Sequence, residues 1–153
     1  MRNTSHTYNG SYHGKNRDRV AFPLGGLGAG MICLEGTGTL SHVSVRHRPE
    51  VFHEPQMFAA LCIKRPGENL ARVLEGPVPP WKITFPWGKR HAGSGNGSKE
   101  KTYGLPRMSS AVFQARFPFA TASLVDDKLP VTAALTGWSP FVPGNADDSS
   151  LPV

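Results

Sequence analysis

The chain has 153 residues, enough for one domain with a real core. Its 17 glycines and 14 prolines make up about a fifth of it, against about an eighth in an average protein, so many turns and few long helices are expected. The net charge of +6 does not by itself mark a nucleic-acid binder: the 17 Lys and Arg are scattered, their densest cluster (Lys15, Arg17, Arg19) falls in a polar start, and no nucleic-acid partner is expected.

Met1 to Asp18 is polar and has no apolar stretch of the secretory type, so a cytoplasmic setting is the expectation. No run approaches ~18 apolar residues, so no transmembrane segment is expected. Cys33 and Cys62 sit in apolar runs and read as small buried hydrophobes, with pairing left open. There is no C-x-x-C, and the histidines of the start (His6, His13) and of the stretch from His42 to His53 form no metal-binding motif. Neither a metal nor a cofactor is expected.

Residues 1–19 are rich in Asn, Ser, Gly, His and Tyr and read as a flexible N-terminal arm, with the domain proper over 20–153. Gly25, Gly26, Gly28 and Gly30 follow Phe22-Pro23-Leu24 in a spacing that fits neither a dinucleotide loop nor a P-loop. They predict close backbone approach instead. Met31–Leu34, a turn at Glu35–Gly38, and the alternating run Thr39–His47 predict an antiparallel hairpin. Met57–Lys64 is the most apolar run and reads as a central strand, turned by Arg65-Pro66-Gly67-Glu68 into a returning strand at Asn69–Leu74. Gly76–Gly88, with four prolines and Trp81 and Trp87, reads as irregular and extended. Residues 89–102 are Gly- and Ser-rich and read as a flexible surface loop.

From Ala111 onwards apolar and β-branched residues recur at a two-residue step, through Ala111–Phe117, Phe119–Val125 and Val131–Thr136. Asp126 to Pro130 supplies turn chemistry between the last two. Leu151-Pro152-Val153 reads as the start of a further strand, so the domain is expected to be cut before its sheet closes. The fold class expected is all-β, an antiparallel β-sandwich incomplete at its C-terminal end.

Acid–base catalysis by a carboxyl pair would need two facing carboxyl groups in different environments. Most of the eleven acids lie at turns, and neighbours such as Asp126-Asp127 or Asp147-Asp148 point to opposite sides of an extended chain. No catalytic residue is assigned. Asp148-Ser149-Ser150 reads as a loop anchored by side-chain to backbone bonds. Trp81, Trp87 and Trp138 are the candidate carbohydrate contacts, because flat aromatic faces stack on sugar rings.

Two blocks carry a resemblance. Phe22-Pro23-Leu24-Gly25-Gly26-Leu27-Gly28-Ala29-Gly30-Met31-Ile32 opens the domain. Phe117-Pro118-Phe119-Ala120, Leu129-Pro130-Val131, Ser139-Pro140-Phe141-Val142-Pro143 and Asp148-Ser149-Ser150-Leu151-Pro152-Val153 close it. Over residues 20–153 the chain resembles the N-terminal domain of glycoside hydrolase family 116, the non-lysosomal glucosylceramidases and bile-acid-type β-glucosidases. The resemblance implies a non-catalytic β-sandwich and a C-terminal catalytic (α/α) barrel of the same protein as its partner. It also implies a parent enzyme that hydrolyses terminal β-glucosides such as glucosylceramide. The alternative is a stand-alone carbohydrate-binding β-module.

Overall fold

The computed structural model describes residues 7, 9–26, 30–46, 48–50, 53–55, 57–83 and 104–150. The described residues form three antiparallel sheets and three single helical turns, an all-β fold. The first sheet runs β1 (Ala21–Leu24), β2 (Met31–Glu35), β3 (Leu40–Ser44). A two-stranded ribbon follows, β4 (Ala60–Arg65) with β5 (Glu68–Val73). The last sheet is β6 (Ser110–Arg116), β7 (Phe119–Val125), β8 (Ala133–Trp138), in that order.

The two-residue period is realised most plainly on β7, where Ala120, Ala122 and Leu124 are buried and Phe119, Ser123 and Val125 are exposed. Their register partners continue one apolar face: Ala111, Phe113 and Ala115 on β6, and Ala133, Leu135 and Gly137 on β8. That face packs on the first sheet, with Phe22 and Leu34 in one cluster with Phe113, Ala120 and Ala122. Two sheets therefore lie face to face, as in a sandwich. Phe113 is fully buried, with Tyr12 edge-on at 6.4 Å. A second cluster, Met108, Ala111 and Leu124, packs against Leu74, Leu129 and Leu135.

Where close backbone approach was expected, Gly30 has φ +111°, and a Cβ there would lie 2.6 Å from the Ser44 carbonyl oxygen. The Pro66-Gly67 turn of the ribbon is likewise as expected, with Gly67 at φ +82°.

Several expectations are corrected. The hairpin strand read to His47 ends at Ser44: a register shift opposite Met31 and Cys33, with His42 at φ +52°, breaks the alternation. The run at Met57–Lys64 is not a central strand. Among the described residues it pairs only with β5, and Met57 and Phe58 are exposed. Hydrophobicity asks for a partner surface, and the described residues supply only the returning strand. The proline-rich stretch read as extended contains a helical turn, α2 (Pro80–Ile83), because a proline at the first helical position loses no hydrogen bond. The strand expected at Val131–Thr136 is shifted onto Ala133–Trp138.

In the stretch assigned to an arm, α1 (Gly14–Arg17) is formed, Tyr12 exchanges backbone hydrogen bonds with Phe113, and Arg17 donates to the Ala111 carbonyl at 3.2 Å. Residues 1–6, the loop at 89–102, Trp87 and the expected strand start at Leu151 lie outside the described residues.

Candidate functional site

The tryptophans are put to different uses. Trp81 is half-buried on α2, its indole N–H donating to the Asp18 carbonyl at 2.9 Å. The Arg19 guanidinium lies 4.4 Å from its ring centre and the Lys82 ammonium 5.5 Å. Trp138 ends β8 and is 49% exposed, directly across from Phe119, which is 53% exposed.

Beside Trp81 is a cluster that the sequence did not disclose. Lys82 is 2% exposed, and its ammonium donates to Glu35 Oε2 at 2.5 Å and also to Glu54 Oε1. Both carboxylates are buried. Two glutamates facing each other invite comparison with a glycosidase pair, but that chemistry needs a sugar between them. Here an ammonium occupies the position, in the interior. The cluster ties β2 to α2. Its members lie 47 and 28 residues apart, and the weak sequence signal was an isolated Lys in an apolar, proline-rich run.

The other interior acids are paired too. Asp126 accepts from Arg72 at 2.7 Å and from the Lys128 N–H at 2.9 Å. The Arg72 hydrogen bond, helped by the Lys128 amide and the nearby positive charges, outweighs burial and holds the Asp126 carboxyl below its ordinary value. Glu75 accepts from Arg107 at 3.2 Å. Burial, reinforced by the Glu35 charge, pushes the Cys33 thiol up to about 11. Cys33 and Cys62 are both free, one buried and one exposed.

Asp148 sits in α3 (Ala146–Ser149), where Asn145 caps its N–H at 3.0 Å and donates to its carboxylate at 2.6 Å. Ser149 bonds the Val142 carbonyl at 3.0 Å and its N–H at 2.9 Å, which is local anchoring chemistry. His53 faces Glu50 at 3.7 Å, and among the described residues no three His, Cys, Asp or Glu side chains gather as a metal site would require.

An apolar groove runs along the described residues. Two cavities, of about 400 and 380 Å³, share Leu24, Leu40, Thr136 and Gly137. Leu34, Met57, Phe58 and Leu135 line one, and Met31, Ile32, Val45 and Trp138 the other. They run beside β8, which among the described residues pairs only with β7. A Cβ on Gly137 would lie 2.5 Å from Leu24 Cδ2, so the missing side chain is what brings β1 up to β8 at this corner. Such a surface can seat an apolar chain segment.

A model of the family described as beta-glucosidase 2, glycosyl-hydrolase family 116, N-terminal, matches residues 21–153. No curated protein matches the chain. No helix among the described residues is long and apolar enough to cross a membrane. An N-terminal domain of this kind implies a catalytic partner domain. The chain belongs to the N-terminal domain family of glycosyl-hydrolase family 116, a non-catalytic N-terminal part of a glycoside hydrolase.

Proposed function

We propose that the chain is the β-sandwich portion of a retaining β-glucosidase that hydrolyses terminal β-glucosides such as glucosylceramide. Its catalytic acids would come from a C-terminal (α/α) barrel of the same protein. The observation that carries this is the family match over residues 21–153. The burial of Glu35 and Glu54 on Lys82 supports a structural role for this part, since neither carboxylate is free to meet a sugar. The apolar groove beside β8 supports a role in seating the rest of the enzyme.

The test is an aryl β-glucoside assay on the purified 153-residue chain, alone and with a family 116 catalytic domain added. We expect no turnover from the chain alone. Turnover by the chain alone that is abolished in Glu35→Gln or Glu54→Gln would overturn the proposal. The second reading, a stand-alone carbohydrate-binding β-module, is favoured by one observation, the exposure of Trp138 beside Phe119.

A further inference from the structure

The outer face of the β6-β7-β8 sheet carries side chains that the core does not use. Because Ala120, Ala122 and Leu124 of β7 point inward, Phe119, Thr121 and Ser123 project from the opposite side. The register sets Arg116, Phe119 and Trp138 in one row across the three strands, and Gln114, Thr121 and Thr136 in the next. The first row is therefore two half-exposed aromatic rings beside a guanidinium. The second is an amide and two hydroxyls. Thr121 Oγ1 and Thr136 Oγ1 lie 3.2 Å apart, each with bonding capacity left. With its amide oxygen turned toward Arg116, Gln114 accepts from Nε and Nη2 at 3.3 and 3.2 Å. Among the described residues, Arg116 has no carboxylate within ion-pair reach.

We propose that this face is a binding platform for a β-linked glucose oligosaccharide. The ligand choice rests on the glycoside-hydrolase assignment. A β-linked glucose ring carries its substituents equatorially. It therefore presents two flat C–H faces and a rim of hydroxyls that both donate and accept. Trp138 and Phe119 offer flat apolar area for a ring face. Thr121, Thr136, Gln114 and Arg116, one strand position away, offer partners of both kinds for the rim. Charge complementarity points the same way: the two rows hold five neutral groups that can hydrogen-bond or stack, plus a single cation already shared with Gln114, and no acid. That set suits a neutral polyol better than a charged partner. Another protein segment has a more apolar seat in the groove beside β8, which Thr136 and Trp138 of this face also border.

The experiment is isothermal titration of the purified 153-residue chain with cellotetraose, with the α-linked maltotetraose as control. We expect saturable binding of cellotetraose and weaker binding of maltotetraose. Trp138→Ala and Phe119→Ala should each weaken it at least roughly fivefold. Trp138→Tyr should retain most of it, which separates loss of stacking from loss of fold, and Leu105→Ala, at an exposed position outside the two rows, should leave it unchanged. Absence of cellotetraose binding overturns the proposal. So does binding undiminished in both alanine variants, equal binding of maltotetraose, or burial of the face in a dimer that Trp138→Ala dissociates. Heat is read from the chain itself, so failure here leaves the enzyme assignment standing, and absence of turnover leaves this proposal standing.

Discussion

Lys82 holds two carboxylates out of water on one ammonium, and removing it would strand both. Breaking a buried ion pair by deleting one partner costs about 3–5 kcal/mol, a large part of the stability of a domain this size. We expect Lys82→Met to lower the urea midpoint by a corresponding amount. Glu35→Gln and Glu54→Gln added to it should recover much of the loss; a single variant as stable as the parent would show the cluster to be dispensable. Asp126 acts on the acid side. Its carboxyl titrates below the ordinary 3.8 when folded, chiefly through the Arg72 hydrogen bond. Its contribution is therefore complete above 3.8 and lost as pH falls through the folded value. Asp126→Asn should be less stable at neutral pH and lose less between pH 7 and pH 3, as read by denaturant midpoints across that range.

Individual strands show how far local rules reach. The alternation on β7 and the Pro66-Gly67 turn could be read directly, because both follow from steric preferences within a few residues. Gly30 belongs to the same class: a conformation at φ +111° and a carbonyl 2.6 Å from any Cβ admit only glycine. Gly30→Ala should cost ~1–3 kcal/mol, measured by thermal unfolding. Gly104→Ala, where a Cβ meets open space, should stay within ~0.5 kcal/mol. β4 shows the limit. Its apolar run announced burial but not against what, and within the described residues it forms only a ribbon with β5. Trp81 is a candidate sugar contact by residue type, and its contacts with Asp18 and Arg19, more than sixty residues away in sequence, leave no mark in the positions beside it.

Across the molecule, apolar area is left uncovered around one strand. Among the described residues β8 has a free edge; it carries no charged residue and no proline, and the groove lies beside it. Undefended edges of this kind pair with other chains. The isolated chain should therefore self-associate with rising concentration in sedimentation velocity. Ala134→Lys, at an exposed position of that edge, should reduce the association. A parent chain that stays monomeric across the accessible range would show that the edge is protected.

By itself the sequence determined the all-β class, most strand positions, the turns and the family, because strand period, turn chemistry and motif are written in short stretches. Only the tertiary structure decided which strands share a sheet, which aromatic rings face solvent, and that Glu35, Glu54 and Lys82 meet. Those outcomes depend on closing loops between distant segments. Sequence spacing sets the entropic cost of closure but not which partners are found.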